Sequence, residues 1–231
     1  MTRSVLAGIT LAALTLAVPA SEEGFVKLFN GKDLTGWKPF LADGADPAKT
    51  WTITDGVIRC TGKPLGYLIT DKDYGDYVLR LQWRWPEKPG NSGVFVHVTG
   101  PDQIWPKGVE AQLQHGAAGD FWLVGDYKLT IPESQRDPGT ARHFLRIGEF
   151  RKKSQDGQGK TTFQESRKSV EKPLGEWNQY EIICKGDEVR LIVNGQLVNV
   201  GTNAESKKGK ILLQSEGAPI EFRNIEIKPL K

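Results

Sequence analysis

Apolar and polar positions alternate with a period of two through much of the chain, and the clearest run spans residues 80–115. It reads RLQWRW, a turn PEKPGNSG, then VFVHVTG and, after a loop, GVEAQLQH. Alternation of this kind predicts half-buried strands. In the first, Leu79, Leu81, Trp83 and Trp85 share a face opposite Arg80, Gln82 and Arg84. In the second, Val94, Val96 and Val98 oppose Phe95 and His97; in the third, Ala111, Leu113 and His115 oppose Glu110, Gln112 and Gln114. We expect these three strands to be neighbours. Their polar faces would then bring Arg84, His97, Glu110 and Gln112 onto one surface.

The pattern continues on both sides. Residues 51–54 and 57–60 flank Asp55-Gly56 and predict a hairpin, because Asp-Gly supplies the positive φ of its tight turn. Residues 67–70, 177–184, 189–193, 196–200, 210–214 and 220–228 are further predicted strands, and FWLVGDYKLT (121–130) holds one or two short ones. Residues 132–172 are charged and weakly patterned, which predicts an extended loop with a strand near 144–150. There is no long amphipathic helix, internal repeat or second domain. Many short strands separated by turn signals predict an all-β chain, an antiparallel sandwich or jelly roll forming a single domain over residues 24–231.

Residues 1–20 stand apart from that domain. Thr2 and Arg3 give a short positive start, residues 5–18 are apolar, and Val18-Pro19-Ala20 precedes Ser21 as a small-residue cleavage site. This is the layout of a secretory signal peptide cut after Ala20, and it predicts a periplasmic or secreted protein. The run is short for a spanning helix and Pro19 ends it; nothing after Ser21 resembles a second membrane segment. A net charge of +3 over 231 residues argues against nucleic acid as a partner. Export admits a disulfide between Cys60 and Cys184, but each closes an apolar strand (GVIRC, YEIIC), so two buried thiols fit equally. Three histidines and two cysteines show no metal-ligand spacing. Seven tryptophans suit a rigid core: Trp83 and Trp85 belong to it by pattern, whereas Trp105 and Trp122, read as loop residues, are candidates for stacking on sugar rings.

Several segments occur together in a telling order: LFNGKDLTGW, WTITDGVIRC, YGDYVLRLQWR, GNSGVFVH, VEAQL, GEWNQYEI, VNGQLV and FRNIEI. This ordered set, spanning residues 25–230, resembles the 3-keto-disaccharide hydrolase family, a former domain of unknown function. The resemblance implies a concanavalin-A-like lectin/glucanase fold with sugars bound on a concave sheet face. It also implies a mostly exported protein acting on glycosides whose glucose unit carries a ketone at C3, downstream of a sugar oxidoreductase that makes the ketone. A glutamate in the family stands where this chain has Glu110. The chain departs from the family at His97, where an arginine is common, and matches a glycine–tyrosine element only through Gly125-Asp126-Tyr127.

Ordinary glycoside hydrolysis needs two carboxylates flanking the scissile bond. The third strand offers one, Glu110. A 3-keto sugar asks for less: the ketone acidifies the C2 proton, so one base can remove it while an electrophile holds the enolate, and the C1 substituent then leaves. Glu110 or His97 would be the base, and Arg84 or a bound divalent cation the electrophile; no cofactor is otherwise implied. Asn91, Gln112, Gln214, Trp105 and Trp122 would bind the substrate, a modified di- or oligosaccharide. A rival expectation is a non-catalytic carbohydrate-binding module, favoured by the single carboxylate. A third is an adhesion domain working through residues 132–172.

Overall fold

The computed structural model describes residues 24–148, 151–155, 161–165 and 170–231; the expected signal peptide lies outside them. The strands in chain order begin with β1 (Val26–Lys27), β2 (Trp37–Leu41), β3 (Trp51–Thr54), β4 (Val57–Cys60), β5 (Gly66–Thr70) and β6 (Tyr77–Arg84). They continue with β7 (Gly93–Thr99), β8 (Lys107–Gln112), β9 (Phe121–Val124), β10 (His143–Phe144), β11 (Arg151–Gln155) and β12 (Thr161–Glu165). The last five are β13 (Asn178–Lys185), β14 (Glu188–Val193), β15 (Gln196–Gly201), β16 (Lys210–Ser215) and β17 (Ile220–Pro229). Asp55 and Gly56 both take positive φ between β3 and β4, as the hairpin turn requires.

Two antiparallel sheets share one core. The first has the order β15-β14-β13-β6-β17-β4-β3, with β1 added on β17; the second has the order β10-β9-β8-β7-β16-β5-β2. Alternation decides what fills the space between them. Tyr77, Leu79, Leu81 and Trp83 of β6, with Tyr180 and Ile182 of β13 and Phe222 of β17, meet Val94, Val96, Val109, Ala111, Phe121 and Leu213 of the second sheet. Cys60 and Cys184 are both free and buried in this core, where burial pushes their thiols up to about 11 and about 12.

Two sequence expectations are corrected here. First, β6 is not a neighbour of β7 and β8. It lies between β13 and β17 in one sheet, while β7 lies between β8 and β16 in the other. The segment between β6 and β7 is a crossover from sheet to sheet. Strands β6 and β8 are both amphipathic, but they offer their apolar faces to the same core from opposite sides, so their polar faces point apart. Second, residues 132–172 are not simply an extended loop: they carry a 3-10 turn (Glu133–Gln135), β10 and the paired strands β11 and β12.

Strand β7 also breaks its own pattern. Its register shifts between Val96 and Thr99 against β8, and β16 shifts opposite it between Lys210 and Leu212. His97 sits in this bulge at φ 54°. Because a bulge inserts a residue, the sides exchange beyond it. Val94 and Val96 stay in the core, whereas Val98 joins Tyr67, Ile69, Phe95 and Leu212 in a second apolar cluster on the outer face of its sheet. Gly209 makes room: a Cβ there would stand 2.6 Å from the His97 carbonyl carbon and 2.7 Å from the Val98 oxygen. Gly209→Ala is therefore expected to destabilise the protein by about 1–3 kcal/mol through overpacking against backbone, measured by urea unfolding.

Candidate functional site

The outer face of the second sheet carries most of the candidate site residues. Register places Glu110 of β8 between Phe95 of β7 and Trp122 of β9, and places Gln112 opposite Gly93. Gln214 follows Leu212 by two on β16, so it shares this face with the outer apolar cluster. Glu110 leans over Gly93. A Cβ on that glycine would lie 2.8 Å from the glutamate Cγ and closer still to Oε1, so the missing side chain is the space the carboxyl occupies. Glu110 is 5% exposed and its Oε1 has no hydrogen-bond partner.

A second carboxyl reaches the same region from just beyond β16. Asn91 and Glu216 form an antiparallel bridge, and Asn91 Nδ2 donates to Glu216 Oε2 at 2.6 Å. Burial raises Glu216 to about 7, against the lowering effect of that hydrogen bond. Burial also raises Glu110 well above the carboxylate range, and the charge of Glu216 adds to it. Both groups keep a proton to higher pH than a solvated glutamate.

Around the pair lie further polar atoms without partners: Asn91 Oδ1, Trp122 Nε1, and both Oε1 and Nε2 of Gln214, a residue only 2% exposed. Each such buried atom costs about 1–3 kcal/mol unless something satisfies it. Gathered on one face, they offer donors and acceptors to a hydroxyl-rich ligand. Trp122 is held flat against His143, with ring centroids 4.5 Å apart at 13°. His143 is fixed in turn by Asp120 Oδ2 at 2.8 Å from Nε2 and Asp137 Oδ2 at 3.1 Å from Nδ1.

The structure thus brings together Glu110, Asn91, Gln214 and Trp122, the last on a strand rather than the expected loop. Gln112 is on the same face, but its Oε1 already accepts from the backbone N–H groups of Leu113 and Gln114, both at 2.8 Å. Trp105 stands 43% exposed on the loop after β7. Two expected catalytic residues lie elsewhere. Arg84 is on the outer face of the opposite sheet, 2.6 Å from Glu221 and 4.6 Å over the Trp177 ring, because β6 belongs to that sheet. His97 is turned by its bulge to the Tyr127 hydroxyl, 3.2 Å from Nδ1. That hydroxyl donates to the Ser206 carbonyl at 2.8 Å, so the imidazole donates through Nδ1–H. Burial holds His97 down to about 4, against the pull of Asp76, so it is a neutral structural residue near pH 7. Glu216 and Gly93 were not anticipated. The signal for Glu216 was the spacing Leu212, Gln214, Glu216, which carries the outer-facing alternation of β16 one step past its end.

Among the described residues no three His, Cys, Asp or Glu side chains gather as a metal-binding group. Oxygen ligands for a divalent cation would come from Glu110 and Glu216 with the amide oxygens of Asn91 and Gln214, the donor type that hard cations take.

Comparison with known proteins agrees with this architecture. Residues 24–228 match the model of the 3-keto-alpha-glucoside-1,2-lyase-like domain. A 3-keto-disaccharide hydrolase of Bacteroides thetaiotaomicron is 26% identical over 266 residues, covering 94% of this chain and 82% of that protein. A Parabacteroides distasonis protein described as a glycosyl hydrolase superposes with a TM-score of 0.60 at 26% identity, covering 90% of this chain and 95% of that one. The β-glucanase of Bacillus licheniformis superposes at 0.51 with 15% identity, covering 90% and 97%, a likeness of fold alone. The sandwich is of the concanavalin-A-like lectin/glucanase kind.

Two consequences can be measured. Gly93→Ala should expel the Glu110 carboxyl from its place while leaving the fold intact, so that its carboxyl resonance titrates closer to an ordinary glutamate. An unchanged titration would mean that the carboxyl does not depend on that gap. For Glu216, ionisation begins near 4.5 in the unfolded chain and near 7 in the folded one, so ionisation favours unfolding increasingly between these values. Glu216→Gln should therefore gain nothing at pH 4 and about 1 kcal/mol above pH 7, solvent screening of the half-exposed carboxylate taking the rest, read from urea unfolding across that range.

Proposed function

The chain belongs to the 3-keto-alpha-glucoside-1,2-lyase-like family, and from that premise we propose that it cleaves 3-keto-disaccharides or related 3-keto-glycosides by elimination followed by hydration. The observation that carries this reading is the buried Glu110 beside the half-buried Glu216, both raised, with unpartnered donors near them. Two such carboxyls, one ionised and one still protonated, offer a base and an acid at once. The carboxylate takes the C2 proton, and the electron pair moves into the C3 carbonyl to give an enolate. The enolate collapses to a C1–C2 double bond and expels the C1 oxygen, which receives the proton of the carboxylic acid. Water then adds, its hydroxyl to C1 and its proton to C2, so the net change is hydrolysis.

Gln214 Nε2 and Trp122 Nε1 are the N–H groups that would meet the developing enolate oxygen, in place of the arginine expected from sequence. The ketone must be supplied by an oxidation of the C3 hydroxyl, hence by an upstream oxidoreductase. The N-terminal leader would carry the protein to the periplasm or beyond. Glu216 also favours a second reading, direct two-carboxylate hydrolysis of an unoxidised glycoside.

The decisive assay incubates the mature protein with 3-keto-trehalose and, separately, trehalose in deuterated water. Elimination and hydration should release 3-keto-glucose carrying deuterium at C2 and leave trehalose untouched. Cleavage of 3-keto-trehalose without C2 deuterium, or turnover of trehalose, would select direct hydrolysis. Binding of either sugar without turnover would select a carbohydrate-binding module. Glu110→Gln and Glu216→Gln should each lose about 10²-fold or more in kcat, and full activity in either removes that residue from the chemistry.

A further inference from the structure

We infer that the same sheet face carries a second sugar subsite, a cavity of about 400 Å³ beside β5, that takes the distal unit of an oligosaccharide whose reacting unit lies at Glu110 and Glu216. The inference rests on the preceding functional reading for the reacting end only. The floor of the cavity is apolar and is a product of the β7 bulge, which turns Val98 outward beside Ile69. Pro106 extends that floor. The rim is ionic. Tyr67, stacked on Phe40 at 5.2 Å and 22°, donates its hydroxyl to Asp102 Oδ1 at 2.9 Å and so fixes the direction of that carboxylate. Lys210 Nζ is tied to the carbonyls of Thr70 and Asp71 at 3.1 and 2.6 Å, which leaves its third N–H for a ligand. Asp73 adds a second exposed carboxylate.

An apolar floor ringed by an oriented carboxylate, a second exposed carboxylate and an ammonium suits a pyranose: its C–H face rests on the floor and its vicinal hydroxyls meet the rim. The cavity lies on the same sheet face as the candidate catalytic residues, joined to them by the strand ladder. Ile69 pairs with Leu212, Leu212 with Phe95, and Phe95 with Glu110. Three interstrand spacings put it about 14 Å from Glu110, beyond the reach of a single sugar ring. Gln214, opposite Tyr67, lies between the two.

The test compares methyl 3-keto-α-glucoside with 3-keto-maltotriose. Wild type should prefer the longer substrate, and Asp102→Ala and Asp73→Ala should each abolish that preference, lowering kcat/KM for 3-keto-maltotriose about tenfold through KM and leaving the methyl glycoside as before. Asp73 is an exposed loop residue, so its variant separates loss of the subsite from loss of fold. Equal effects on both substrates, or none on either, would overturn the subsite. Should wild type turn over neither sugar, the catalytic reading fails by itself, and calorimetric titration decides the subsite. Chain-length-dependent binding that disappears in both variants supports it, and binding independent of length refutes it.

Discussion

Every strand of this sandwich has two faces, and the shared core claims one of them. That constraint governs the rest of the structure. The core holds Trp83, Tyr180, Phe222 and other large side chains with almost no exposure, each worth about 1.5–3 kcal/mol in burial. A one-residue slip would exchange the faces, so register is strongly fixed. Side chains available for chemistry are therefore those the core has rejected, and their position is set by registers chosen for packing. The bulge at His97 is the one place on β7 where the exchange happens deliberately. It withdraws a histidine from the outer face and returns a valine to it.

On that outer face the balance of terms is different. Glu110 is removed from water without receiving a partner for Oε1, and Gln214 is buried with neither amide atom satisfied. Packing alone would have replaced both by apolar side chains, since an unsatisfied buried group opposes folding by about 1–3 kcal/mol. The large core can bear that cost. Local rules are commonly broken at sites that act, and on this face Glu110 Oε1, Asn91 Oδ1, Trp122 Nε1 and both amide atoms of Gln214 stand without partners together. Gly93 belongs to the same arrangement, because any side chain there would take the room of the Glu110 carboxyl.

Much of the fold was legible because its signals are local. Alternation identified the core side of β6 and of β8 correctly, and Asp55-Gly56 identified its hairpin. What local pattern cannot carry is which sheet a strand joins. Arg84 and Glu110 have equivalent pattern positions, yet they face outward from opposite sheets because the segment between β6 and β7 crosses the sandwich instead of turning back. The bulge was equally hidden, since VFVHV reads as unbroken alternation; its cause lies more than a hundred residues away, in the space at Gly209. Glu216 escaped because it acts from a bridge beyond the end of a strand. Of the candidate site, Glu110 was legible as an outer-face residue and Asn91 as a turn residue, Gln214 and Trp122 were named without their place in the sheet, and the second carboxyl needed the tertiary pairing of Asn91 with Glu216.

The protonation of that pair bears on which reaction suits the face. Nearby cations would hold the two carboxyls down, yet both are raised, Glu110 by its burial and by the charge of Glu216. Direct hydrolysis of an unactivated glycoside demands stabilisation of a cationic sugar, which an ionised carboxylate provides and a protonated one does not. Elimination beside a ketone makes the opposite demand. The substrate brings its own electron sink, charge develops as an anion on oxygen, and the face must supply a base of modest strength, a proton for the leaving oxygen and neutral N–H donors. Desolvation serves that reaction twice: it keeps a proton on the pair near neutral pH, and it strengthens each hydrogen bond to the enolate. Under the proposed elimination, the desolvation that costs stability at Glu110 and, in part, at Glu216 is the same physical effect that would make the two carboxyls useful.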